Sequence, residues 1–345
     1  SAVSSPTDFS GNPLTNFGLE GLDNEGLIGA AFGATFAIIT VALISGAIAD
    51  RAKFGAWLVF AGIFATVAYF PVAAWVWGGG WIMELGTWLN MPDVIDYAGG
   101  TAVHINAGAA ALALAIVLGK RFGFAKGIMQ PHNVPLVMLG AALLWFGWFG
   151  FNVGAEFLNN MENVGLITVN TLGATAAAIL GWLVIEKLKE GKATSIGAAS
   201  GAVAGLVAIT PACANVTPFW ALVLGVIAGV AAALAVDLKF KLGYDDSLDV
   251  VGIHLVAGMI GTLFLGFFAT DTGLFTGGDF GQLIVQAIAA FGVLIYSFVV
   301  ALIIGFGIEK SIGFRVKSED EIAGVDLVVH GEAAYSFGQD LSAKS

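Results

Sequence analysis

Charge is scarce in this chain: Asp, Glu, Lys and Arg make up 11% of 345 residues, where a water-soluble domain carries about 25%. Hydrophobic residues reach 58% and the mean hydropathy is +0.88, which excludes an ordinary soluble globule. Cysteine is almost absent: Cys213 alone excludes an intramolecular disulfide and a cysteine metal cluster. A nucleotide loop is missing too. Gly191-Lys192-Ala193-Thr194 is similar to the end of a phosphate-binding loop, but the required earlier glycine is Glu186 and the hydroxyl comes one place late. Neither an initiator Met nor a basic-then-apolar leader precedes the polar residues 1–26, which read as an external loop whose preceding part is absent.

What is present is length of apolar chain. Nine uncharged runs lie near 27–49, 54–79, 101–119, 135–155, 164–185, 194–215, 218–236, 250–270 and 282–308. Each matches the roughly 18 residues that cross a bilayer, so the fold expected is an all-α polytopic membrane protein. All fourteen bases follow odd-numbered runs: Arg51 and Lys53; Lys120, Arg121 and Lys126; Lys187, Lys189 and Lys192; Lys239 and Lys241; Lys310, Arg315, Lys317 and Lys344. The positive-inside rule makes that side cytoplasmic, with the amino terminus outside and the carboxyl terminus inside the cell membrane. The opposite side carries only acids, among them Asp8, Glu20, Asp23, Glu84, Asp93, Asp96, Glu156, Glu162, Asp271 and Asp279, a distribution that concentrates small cations. Three segments follow: an extracellular loop 1–26, a membrane domain 27–310 and a cytoplasmic tail 311–345.

Two of the four histidines, His104 and His254, sit inside apolar runs and open the same string, His-x-x-Ala-Gly, ending at Gly108 and Gly258. An ionisable ring at membrane depth is costly and by default functional. The two runs have opposite directions through the membrane, as an inverted repeat with a site at the repeat interface would give. Asp96 precedes His104 by eight residues and Asp249 precedes His254 by five, so no third ligand stands at zinc spacing. Two histidines holding a haem between helices remain an alternative. Phe32 and Phe36 lie one helical turn apart, Trp77 closes the second run, and Trp148 and Phe151 are three apart on the fourth. Aromatic faces attract a cation by about 0.5–2 kcal/mol, although such a stripe alone more often meets lipid or core.

The strings Asp96-Tyr-Ala-Gly-Gly-Thr-Ala-Val-His104-Ile-Asn-Ala-Gly108, His132-Asn-Val-Pro135, Leu144-Trp-Phe-Gly-Trp148-Phe-Gly-Phe151-Asn152, Thr210-Pro-Ala-Cys213 and Asp245-Asp-Ser-Leu-Asp249-Val-Val-Gly-Ile-His254 resemble the signatures of the ammonium transporter family, from about Phe32 to the tail. The resemblance implies eleven spans with inverted five-helix repeats around a central pore, and no enzyme activity, cofactor or metal. It assigns Phe36, Trp77 and, from behind, Asp96 to outer cation recruitment, and Phe36 with Phe151 to a stacked gate. Phe32, Trp148, Asn152 and Thr210 would line the path, and His104 and His254 would form a twin-histidine pair in an apolar pore. The ligands implied are ammonium and ammonia, with methylammonium as a candidate analogue.

Two departures stand out. The family often has a hydroxyl where this chain has Ala155, followed by Glu156, so weaker outer binding is expected unless Glu156 or water substitutes. The chain also begins in the loop before the family's third span, so it is expected to be either a fragment or a reduced homologue. Its tail string Gly324-Val-Asp326-Leu-Val-Val-His330-Gly-Glu332-Ala-Ala-Tyr335 resembles the family's cytoplasmic tail, which couples subunits of a homotrimer and meets a PII-type signalling protein. His132 and His330 are expected to be structural. Three readings therefore stand open: a transporter taking up ammonium, a non-conducting sensor or partial chain, and a bis-histidine haem electron carrier.

Overall fold

The lengths of the helices follow from their caps and small residues. A computed structural model describes residues 2–124, 131–159 and 161–335, so Lys126 and Lys344 lie outside the described residues. Among the described residues eight helices are long and apolar enough to cross a bilayer: α1 (Asn24–Ile48), α2 (Phe54–Trp77), α3 (Gly100–Leu118), α4 (Val134–Glu156), α5 (Val164–Glu190), α7 (Pro218–Leu242), α8 (Val251–Phe268) and α9 (Gly281–Ser311). The sixth expected run is a shorter apolar helix, α6 (Ser195–Ile209). Thr210 to Val216 turns back on itself at the expected end of that run, with Pro211 setting the turn. An isolated bridge between Ala52 and Arg315 is the strand-like pairing among the described residues.

Boundaries move where polar caps outrank hydropathy. α1 starts at Asn24 because the Asp23 carboxylate accepts the Gly26 N–H at 2.9 Å. Asn133 accepts the Leu136 N–H at 2.9 Å ahead of Pro135 to start α4, and Thr194 does the same for Gly197 to start α6. α5 runs on to Glu190 through a basic last turn, Lys187 and Lys189, and stops at Gly191 in the left-handed region, φ 76°.

With lipid tails as apolar as leucine, helices associate through close packing of small residues. The four-residue glycine stripe of α6 does this, because Gly201 lies on Trp182 and Gly205 on Ala178 of α5. Gly225 and Gly229 of α7 press on the Ala174 and Ala178 backbone of the same helix. α3 and α8 are the inner helices, whereas α4 and α1 are the most peripheral, and α4 shows lipid-facing residues such as Leu143 and Phe146 to the outside.

α3 and α8 are built alike. Each opens with a π-helical turn, Gly100–Ile105 or Val251–Val256, and continues as α-helix; π turns recur at functional sites. The histidine lies within that turn in both. The glycine ending each His-x-x-Ala-Gly string is the crossing point: a Cβ on Gly108 would meet Leu255 at 2.6 Å, and one on Gly258 would meet the His104 Cβ at 3.2 Å.

Candidate functional site

The crossing of α3 and α8 places the two histidine rings in direct contact. Their Nδ1 atoms are 3.2 Å apart, their centroids 5.3 Å, and their planes differ by 23°. Hydrogen-bond distance between two Nδ1 atoms requires one to donate and the other to accept. A metal ion between them needs about 2 Å on each side, hence about 4 Å from nitrogen to nitrogen, wider than the contact the two Nδ1 atoms make. The haem alternative does not fit this geometry. Among the described residues no group of three metal-ligating side chains converges.

A row of aromatic rings leads to this pair. Trp77, 37% exposed at the end of α2, meets Phe36 of α1 edge-on at 5.8 Å. Phe36 is 5% exposed, stacks on Phe151 of α4 at 4.3 Å and 20°, and is flanked by Phe32 at 4.9 Å. Phe151 lies 6.2 Å from His104, and Trp148, 5.6 Å from Phe151, stacks on the same imidazole at 5.4 Å and 15°. Phe32, Phe36, Trp77, Phe151, Trp148, His104 and His254 are thus brought together from five helices.

Polar groups hold this row in place. The Trp148 indole donates to the Thr210 hydroxyl at 2.8 Å, which donates to the Leu206 carbonyl at 2.7 Å. Asn152 donates to the Thr171 hydroxyl at 3.1 Å, so Asn152 and Thr210 act behind the rings. The buried Asp96 carboxylate accepts the N–H groups of Gly99, Gly100, Thr101 and Ala102 at 2.6–2.9 Å, four donors that a helix start otherwise leaves unsatisfied. Its carbonyl takes the Trp77 indole N–H at 2.8 Å. Asp96 therefore fixes both the α3 turn carrying His104 and the ring at the mouth. Ala155 packs against the Phe36 cluster.

Three contributions escaped the sequence reading. Asp249 is turned away to an ion pair with Lys239 at 2.6 Å; the counterpart of Asp96 is Asp246, also eight residues before its histidine, whose Oδ2 accepts the Val251 N–H at 2.7 Å. That shared offset was the available signal. The glycines of the histidine strings set the approach of the rings, and Tyr97 joins the Phe36 cluster. In the tail, His330 packs edge-on at 6.1 Å against Phe54. The Tyr335 hydroxyl accepts from Asn133 at 2.7 Å and its ring meets His132 at 5.4 Å. Asp326 opens a one-turn π segment ending at His330, Gly324 has φ 101°, and the Glu332 N–H donates to the Asp326 carbonyl at 3.2 Å.

The model of the Ammonium Transporter Family matches residues 3–335. The ammonium transporter of Mycobacterium tuberculosis is 52% identical over 367 residues, covering 96% of this chain and 77% of its own length. That of Archaeoglobus fulgidus is 40% identical, covering 97% of this chain and 85% of its own length. The crystal structure of Candida albicans Mep2 superposes with a TM-score of 0.78 at 33% identity, covering 86% of this chain and 67% of that one. A sensor Amt protein superposes equally well, with a TM-score of 0.78 at 31% identity. By its matched residues and by the fold it shares with these transporters, the chain is a multi-pass membrane protein that belongs to the ammonium transporter family.

Proposed function

We propose that the chain takes up ammonium across the cell membrane, recruiting the cation at Trp77 and Phe36 and removing its proton at the Phe36–Phe151 stack. Ammonia and the proton then pass the twin histidines by neighbouring routes. The observation that carries this reading is the Nδ1 to Nδ1 contact at the end of the aromatic row. A bare ion in a dry apolar path costs tens of kcal/mol in the idealised limit, while a cation–π contact returns about 2 at most. Rings alone cannot carry the cation inward. Two neutral imidazoles joined through Nδ1 present one Nε2 as donor and the other as acceptor. A proton taken at one Nε2, shifted across the bridge and released from the other Nε2 leaves the pair intact with its tautomers exchanged. The buried, unpartnered Nε2 of His104 suits such a relay.

The base-bearing end is cytoplasmic in this reading, which puts residues 1–26 outside and the tail 311–345 inside, with 27–310 as the transport domain. Asp96 positions the mouth and α3 without touching the cation, and Phe32, Trp148, Asn152 and Thr210 shape the path. Gly324, Asp326, His330, Glu332 and Tyr335 form the surface for subunit coupling in a homotrimer and for a PII-type partner. A second reading, a non-conducting sensor, is favoured by the likeness to a sensor Amt protein.

The deciding experiment is a transient current from purified protein in liposomes on a solid-supported membrane, with ammonium jumps set against equal potassium jumps. A saturable ammonium-selective current is expected, lost in the His104→Ala/His254→Ala double variant. A current unchanged by that substitution sinks the relay, and ammonium binding without current supports the sensor.

A further inference from the structure

Neither position 155 nor Asp96 offers the aromatic mouth a free oxygen. Position 155 is an alanine, the Asp96 carboxylate is occupied by four backbone N–H groups, and its carbonyl by Trp77. Ammonium carries four N–H donors, and ring faces answer them weakly compared with an oxygen acceptor. Tyr97 brings an oxygen to the same cluster. Its ring packs in the cluster of Phe36, Phe32, Phe151 and Ala155, and its backbone N–H is pinned to the Pro211 carbonyl at 3.2 Å. The phenol donates its hydrogen to Glu156 Oε2, which leaves the oxygen only its lone pairs to offer.

Glu156 is itself anomalous. It is fully buried at the end of α4, its Oε1 accepts the Asn163 N–H at 2.6 Å, and it belongs to none of the ion pairs among the described residues. The bases of the described residues gather at the opposite end of the bundle, around Asp245, Asp249 and the tail. A carboxylate removed from water is unfavourable unless donors, a proton or a cation offset it. Asp96 has four backbone N–H groups for this, whereas Glu156 has one N–H and one phenol, which leaves room for a mobile cation. We infer that Tyr97 and Glu156 form the counter-charge of the outer site. The Tyr97 oxygen accepts an N–H of the recruited ammonium, and Glu156 behind it commits the phenol hydrogen and supplies the negative charge. The pair takes the place of the hydroxyl that Ala155 does not provide. This assignment rests on the aromatic row being the entry for a cation.

Two measurements on wild type, Tyr97→Phe and Glu156→Gln separate this inference from the transport reading. They are ammonium-driven current in proteoliposomes, and calorimetric titration of detergent-purified protein with ammonium chloride against potassium chloride. Each variant is expected to raise the half-saturating ammonium concentration about tenfold with the maximal current kept. The double variant should lose little more, because the two act as one unit. Adding Ala155→Ser to Tyr97→Phe should restore most of the loss by returning a hydroxyl. Current with half-saturation within twofold of wild type in Tyr97→Phe overturns the counter-charge and leaves transport standing. Wild-type binding without current, shifted tenfold by Tyr97→Phe, upholds the counter-charge and overturns transport. Absence of both binding and current overturns both. A variant that lowers only the melting temperature and the maximal current, with half-saturation fixed, assigns the pair a structural role. Tyr97→Phe removes one half-buried hydroxyl and keeps the ring, and it decides the matter if Glu156→Gln does not fold.

Discussion

A single carboxylate near the base-bearing end gives the sharpest pH signature. Asp246 is 1% exposed, and its Oδ1 has no hydrogen-bond partner among the described residues. Burial first, and then the neighbouring Asp249 charge, push its carboxyl up to about 6, against the pull of the Val251 N–H and of Lys239. Because the folded value lies above the usual one, the native state holds the extra proton. The associated stability is complete below about pH 4 and is lost as pH rises through about 6. A shift of about two units is worth on the order of 3 kcal/mol. Asp246→Asn keeps an acceptor for the Val251 N–H and removes the charge. Its melting temperature should equal or exceed that of the wild type at pH 8, and the advantage should vanish near pH 4.5. Parallel melting curves across that range would refute the assignment. Asp246 also marks where sequence reading stopped. Asp249 was the acid nearest His254 in the chain, yet it pairs with Lys239, a choice made by folding of the loop. Tyr97 and Glu156 are 59 residues apart, and nothing in their local strings joins them.

Helices were far more legible than contacts, because the bilayer imposes a run length that composition cannot hide. The repeated His-x-x-Ala-Gly string likewise marked α3 and α8 as partners. What remained unreadable was the job of the glycine: the same residue serves in ordinary helix–helix packing elsewhere, as Gly205 does on Ala178, and only the crossing beside the histidines distinguishes Gly108. Its absent Cβ would stand 2.6 Å from the Leu255 backbone nitrogen and Cβ, closer than real side chains approach. Gly108→Ala must therefore push α8 away at the residue beside His254. Overpacking of this kind costs about 1–3 kcal/mol, and here the displacement falls on a contact of 3.2 Å. Ammonium-driven current should fall at least tenfold while the protein still inserts. Gly140→Ala on α4, where nothing lies within 4 Å, serves as the control and should leave the current unchanged. Equal currents from the two variants would mean that the ring contact does not limit transport.

At the scale of the whole molecule the two ends do different work. α3 places the mouth at one end and a knot of loops at the other, about 27 Å away by its length. Arg51, fully buried, donates to the carbonyls of Gly119 at 2.9 Å and Asp245 at 2.5 Å and to the Ser247 hydroxyl at 2.8 Å, and burial lowers its guanidinium to about 10. Burial also opposes the Asp245 charge, but three bonds from Arg121, two from its guanidinium and one from its backbone N–H, outweigh it and hold that carboxyl below its ordinary range. The tail enters the same knot: Arg315 donates to the carbonyls of Leu118 and Lys120 and to Glu321, while Glu321 accepts the Phe122 N–H. Four segments thus share one set of donors, and removing one partner leaves the others buried and unpaired, at about 3–5 kcal/mol. Arg51→Ala should accordingly lower the melting temperature severely. Arg315→Ala and Glu321→Ala should each lower it mildly, with a double variant less harmful than their sum because both break one linkage. None of the three tail variants touches the rings at the far end. The half-saturating ammonium concentration should then stay within twofold of wild type while thermal stability falls. A tail variant that instead shifts half-saturation tenfold would show that the knot reaches the mouth through α3, and that the two ends are one coupled device.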